Sequence, residues 1–78
     1  MVYSFQRRRH MEFAHAQLKR LREAKGLTQD YVAEQAGLSR QQYMNLEAGK
    51  NTPRLETIDK IAKVLGVPGQ FLIEDGVA

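Results

Sequence analysis

Residues 28–48 read TQDYVAEQAGLSRQQYMNLEA, and this stretch decides the fold. It divides at Gly37 into two short helical segments, Thr28–Ala36 and Ser39–Ala48. Thr28 offers a hydroxyl to cap the first, and Asp30 falls in its first turn, where a helix N-terminus favours negative charge. Val32, Ala33 and Ala36 give that segment an apolar inner face. Ser39 and Gln42 have the spacing of a capping box, so the second helix starts at Ser39 or Arg40 and ends near Ala48. Ala33 is small enough for the two helices to cross closely. Gly37, four residues on, can adopt the positive φ of a sharp turn, and Leu38 and Leu46 can plug the angle between the helices. Only Tyr43 and Leu46 of the second segment point to a core, so its N-terminal half is pushed outward as a polar rod.

Upstream, Phe13, Ala14, Leu18 and Leu21 recur at three- and four-residue steps, the stripe of an amphipathic helix that begins near Glu12 and is closed by Gly26. Downstream, Gly49–Pro53 reads as a loop, with Pro53 suited to the first turn of the next helix. Leu55, Ile58, Ile61, Ala62 and Leu65 form that helix's stripe, and Gly66 ends it. Val67-Pro68 opens a short fifth turn or helix carrying Phe71, Leu72 and Ile73. Residues 1–12 lack periodicity and include Arg7, Arg8 and Arg9; they read as a flexible basic arm or leader ahead of a domain at 13–78. With no strand pattern or repeat, the expected architecture is all-α, a compact set of five short helices.

Composition narrows the function. A chain of 78 residues, 42% hydrophobic, can build one small core but cannot also wall a deep catalytic cleft. The absence of cysteine removes disulfides, thiolate metal sites and a cysteine nucleophile together. His10 and His15, five apart, do not share a helical face, so no metal site is expected, and no side-chain grouping is spaced for catalysis or for a cofactor. No apolar run approaches the ~20 residues of a membrane span, and no signal-peptide core follows the N-terminus, so a cytoplasmic protein is expected. Charge is uneven: residues 1–28 hold seven Lys/Arg and two Asp/Glu, +5, which leaves −2 for residues 29–78 of a total of +3. A basic front suggests a polyanion, with nucleic acid first among the candidates.

Two short helices joined by a tight glycine turn have the dimensions of a helix-turn-helix. An α-helix of about 10–12 Å diameter fits the major groove of B-DNA, about 12 Å wide. From Leu18 to Val67 the sequence resembles the phage repressor/Cro (Xre-type) helix-turn-helix proteins, which share a lambda-repressor-like fold. Gly26-Leu27-Thr28-Gln29, Ala33, Gly37, Leu46-Glu47-Ala48-Gly49, Pro53 and Ala62–Gly66 all fall in register. The chain departs from the pattern at Tyr43, where many members have Ile or Val, so its hydroxyl must reach the surface or a partner. It departs again at Arg54, where many have a small capping residue.

The resemblance implies roles for particular residues. Gln29 would hold a DNA phosphate through its side chain and backbone N–H. Arg40, Gln41, Met44 and Asn45 would face base edges: arginine grips guanine O6/N7, glutamine or asparagine grips adenine N6/N7, and methionine can meet a thymine methyl. Ser39, Lys50, Asn51 and Thr52 would border the DNA backbone and position rather than specify. Arg22 and Glu47 would form a partly buried ion pair. The expected function is a sequence-specific transcriptional regulator, a repressor, that binds an inverted-repeat operator in double-stranded DNA as a homodimer. One short recognition helix reads too few base pairs alone. The two-fold contact is expected at Phe71, Leu72 and Ile73, helped by Leu65, because that end of the chain is more apolar than its few residues can bury. The alternative is an antitoxin or adaptor whose main partner is a toxin or another regulator. Lost DNA binding would leave acidic or bulky apolar side chains at positions 40, 41, 44 and 45, where this chain has Arg, Gln, Met and Asn.

Overall fold

The structure is a computed structural model that describes residues 10–76; the basic run Arg7–Arg9 lies outside the described residues. In chain order it contains strand β1 (His10–Phe13), helices α1 (His15–Ala24), α2 (Gln29–Gln35), α3 (Arg40–Glu47) and α4 (Leu55–Leu65), a single 3₁₀ turn (Gly69–Leu72) and strand β2 (Ile73–Gly76). The local signals in residues 28–48 act as the side chains dictate. Thr28 Oγ accepts from the Tyr31 N–H at 3.0 Å, and Ser39 and Gln42 close a reciprocal capping box at 2.8 and 3.0 Å. The turn between α2 and α3 passes through Gly37 at φ +75°.

The core is continuous. Leu18 from α1, Val32, Ala33 and Ala36 from α2 and its cap, Tyr43 and Leu46 from α3, and Ile58, Ile61, Ala62 and Leu65 from α4 pack around Leu72 of the 3₁₀ turn. Leu38 and Leu27 cover its edges. α2 contacts both α3 and α4, while α1 contacts α3 and the 3₁₀ turn.

The structure corrects the sequence reading in several places. Among the described residues four α-helices form, not five: Pro68 leads into one 3₁₀ turn, after which the chain extends. β1 and β2 pair antiparallel, with His10 opposite Gly76 and Phe13 opposite Ile73, so residues 10–12 belong to the folded unit instead of a free arm. The Ala14 N–H donates to the Leu72 carbonyl at 2.8 Å and extends this ladder to the start of α1. Phe13, read as the first residue of a helical stripe, is therefore a strand residue, and it still packs on the core. Four-residue strands carry too little alternation to register as a period, and the residues that pair them lie at opposite ends of the sequence. Pro53 stands one position before the Arg54 N-cap, outside α4, and Arg54 supplies no side-chain cap. Leu55, assigned to the α4 stripe, is 72% exposed.

Two glycines with positive φ face different surroundings. A Cβ at Gly37 would meet nothing within 4 Å, whereas one at Gly49 (φ +76°) would stand 2.8 Å from Nε2 of the His15 ring. That ring is tethered, because its Nδ1 donates to the Glu47 carbonyl at 3.2 Å. Gly37→Ala should thus cost the left-handed strain alone, about 1–2 kcal/mol. Gly49→Ala should cost about 1 kcal/mol more, through the displaced ring and its lost hydrogen bond. Urea unfolding of the two variants, each repeated with His15→Ala, checks this: the excess at Gly49 should vanish in the second background, and equal costs in the first would refute it.

Candidate nucleic-acid interface

α3 is anchored on one side and open on the other. Tyr43, Leu46 and Glu47 are buried, whereas Arg40, Gln41 and Gln42 are exposed and Met44 and Asn45 half-buried. Residues four apart lie above one another on a helix, so Arg40 stacks with Met44 and Gln41 with Asn45 along one outer face. The Gln41 Nε2 amide donates to Asn45 Oδ1 at 3.0 Å, which orients both amides before any ligand arrives. Ser39 at one end of α3, and Lys50, Asn51 and Thr52 beyond the other, are exposed beside this face.

What holds α3 in place is one buried carboxylate. Glu47 Oε2 accepts from Arg22 Nε and from the Tyr43 hydroxyl, each at 2.6 Å. Its Oε1 accepts from Arg22 Nη2 at 3.2 Å and from Gln29 Nε2 at 3.0 Å. Arg22 Nη1 turns to the Leu27 carbonyl at 2.8 Å, which fastens the loop between α1 and α2 to the same centre. Side-chain exposure is 11% for Arg22 and 5% for Glu47, so the pair is shielded from water. Burial pushes the Glu47 carboxyl up, but hydrogen bonds from Arg22, Tyr43 and Gln29 outweigh it and hold the group below its ordinary value. The Tyr43 hydroxyl moves far the other way, first through burial and then through its hydrogen bond to Glu47.

Each residue singled out in the sequence can now be placed. Arg22 and Glu47 meet in the ion pair just described. Gln29 begins α2 with its amide turned inward to Glu47; the expected phosphate contact would have to use its backbone N–H or the amide hydrogen not given to Oε1. The expected two-fold surface needs correction. Leu65 and Leu72 are buried in the protomer's own core, and Ile73 is half-buried opposite Phe13, because the 3₁₀ turn aims Leu72 inward. Of the four, Phe71 is the one exposed, at 48%. Two features escaped the sequence reading. Tyr43 donates to a residue four places on, a helix-neighbour relation that spacing alone could have indicated. Arg40 Nε lies 3.1 Å from Asp30 Oδ1 across the α2–α3 angle, a pairing that no local spacing signals.

These features define a helix-turn-helix protein: a capped supporting helix, a glycine turn and a polar helix held outward by a core-side lock. The chain belongs to the Helix-turn-helix family HTH_3, whose model matches residues 18–72. It is 40% identical over 57 residues to the SPbeta prophage-derived HTH-type transcriptional regulator YonR of Bacillus subtilis, covering 73% of this chain and 53% of that protein. It is 37% identical over 60 residues to the cryptic phage CTXphi transcriptional repressor RstR of Vibrio cholerae, covering 77% and 54%. The chain thus spans about half the length of these two relatives. Among solved structures, the restriction-modification controller protein C.AhdI of Aeromonas hydrophila superposes with a TM-score of 0.72 at 34% identity, over 74% of this chain and 88% of that one. Among the described residues, no helix is long and apolar enough to cross a membrane.

The lock makes stability depend on pH at both extremes. A carboxylate depressed in the native state stabilises the fold above its ordinary value, 4.5, and that contribution is lost as pH falls through the lower native value. A phenol raised in the native state stabilises below 10.0, and its contribution is lost progressively as pH rises beyond that. Glu47→Gln should flatten the acid limb of a stability–pH profile and, by leaving Arg22 uncompensated, cost about 3 kcal/mol at neutral pH. Tyr43→Phe should flatten the alkaline limb. Denaturant titrations from pH 3 to 11 measure both; unchanged limbs would show that the network carries no proton-linked stability.

Proposed function

We propose that this chain is the DNA-reading module of a transcriptional regulator, with α3 lying in the major groove. One observation carries the reading: α3 keeps Arg40, Gln41, Met44 and Asn45 on an open face while Tyr43, Leu46 and Glu47 fix its opposite side in the core. Those four outer groups can recognise base edges. Ser39, Lys50, Asn51, Thr52 and Gln29 border the backbone and set the register. Similarity to a named phage repressor supports repression as the output.

The module acts as a symmetric dimer, since one recognition helix gives too little discrimination within a genome. With Leu65 and Leu72 committed to the core, the two-fold contact is assigned to Phe71. Two copies of α3 would then enter successive major grooves about 34 Å apart, on an inverted repeat.

Selection of bound sequences from a random duplex pool tests the function directly. The expected result is one enriched inverted repeat with half-sites a helical turn apart; no enrichment would overturn the proposal. On that site Arg40→Ala and Gln41→Ala should each cost about 1–3 kcal/mol and relax base preference, with smaller losses on scrambled DNA. Equal losses on both would exclude base reading. Sedimentation at micromolar concentration, with and without the selected site, checks the dimer: Phe71→Asp should abolish self-association, and a wild type monomeric even on DNA would end that assignment.

A further inference from the structure

The reading unit carries little positive charge. Residues 28–52 hold two cations, Arg40 and Lys50, against three carboxylates, Asp30, Glu34 and Glu47. Glu47 is compensated from inside by Arg22. Asp30 is not so engaged: it sits in the first turn of α2, 66% exposed, with Oδ1 3.1 Å from Nε of Arg40, which is 69% exposed. One of the two cations beside the reading face is therefore already paired within the protein.

We propose that Asp30 is a specificity-determining residue for base reading by Arg40, an inference that rests on the major-groove assignment above. A phosphate and a guanine make different demands on a paired arginine. Phosphate attraction is a charge effect, driven by counterion release, and an arginine already neutralised by a carboxylate contributes less to it. The O6 and N7 acceptors of guanine are uncharged, so they do not compete with Asp30 for the guanidinium. Contact at Nε also leaves the Nη1/Nη2 edge available, and that edge can span O6 and N7 in a bidentate grip. Arg40 can thus keep Asp30 while reading a guanine, but must share its charge to bind a phosphate. The pairing thereby lowers affinity for arbitrary sequence more than affinity for the selected site. The pair also bridges α2 and α3 and restrains an otherwise free side chain at the first residue of the recognition helix.

The test is a double-mutant cycle on discrimination, the ratio of dissociation constants on scrambled duplex and on the duplex that this protein selects from a random pool. Both side chains are exposed, so Asp30→Asn and Arg40→Ala leave the core intact, and thermal unfolding verifies that. An exposed ion pair couples by about 0.2–1 kcal/mol, so Asp30→Asn should lower discrimination about 1.4- to five-fold in the wild-type background. The change should come chiefly from tighter binding to scrambled DNA with a steeper salt dependence. In the Arg40→Ala background, Asp30→Asn should leave discrimination unchanged. If it alters the ratio equally in both backgrounds, or in neither while Arg40→Ala is costly, the role of Asp30 falls and base reading stands. If Arg40→Ala itself leaves the ratio unchanged, the major-groove reading falls and this inference falls with it.

Discussion

A single buried carboxylate organises this molecule. Glu47 ends α3, yet its partners come from α1, α2 and α3 itself: Arg22, Gln29 and Tyr43. A charge taken out of water is costly unless its hydrogen-bonding capacity is filled, and here both oxygens are occupied twice. The same requirement fixes geometry, because four donor groups from three side chains must converge within hydrogen-bond distance of one carboxylate. Apolar packing among Leu18, Val32 and Leu46 would tolerate small sliding of α3; a four-donor carboxylate does not. The angle at which α3 leaves the core follows from that constraint.

Tyr43 shows how a departure from a family's pattern can be absorbed. An aliphatic residue at its position would leave Glu47 with Arg22 and Gln29 alone. The tyrosine fills the same apolar volume and is fully buried, while its hydroxyl reaches Glu47 within its own helix. Burying the phenol is compatible with stability because that hydrogen bond is short and charge-assisted. The substitution moves one more donor into the lock without adding exposed surface.

The helical half of the fold was legible because its signals are local. Thr28, the Ser39–Gln42 capping box and Gly37 each act within four residues, and each forms the contact its chemistry suggests. The β1–β2 ribbon was not legible, since Phe13 and Ile73 lie near opposite ends of the sequence and only the tertiary fold makes them neighbours. The same distinction explains the end of the chain: Leu72 looked like spare apolar surface because nothing local reveals the pocket that α1 and α4 leave for it. On the outer face of α3, helical spacing placed Arg40, Gln41, Met44 and Asn45 together, but the inward turn of Gln29 and the Asp30–Arg40 pair depend on how α2 crosses α3. Local chemistry is written in runs of residues; tertiary electrostatics are not.

The ribbon has an architectural consequence. His10 and Gly76 are register partners on adjacent strands, so the folded unit is entered and left at one point. Polypeptide joined at either end would emerge from the same spot, side by side and with opposite chain polarity. The unit is in this sense a plug-in cassette, which can be inserted into a surface loop of another domain as readily as joined end to end. Its orientation in such a chimera would be set by a hydrogen-bonded stem, not by the length of a linker.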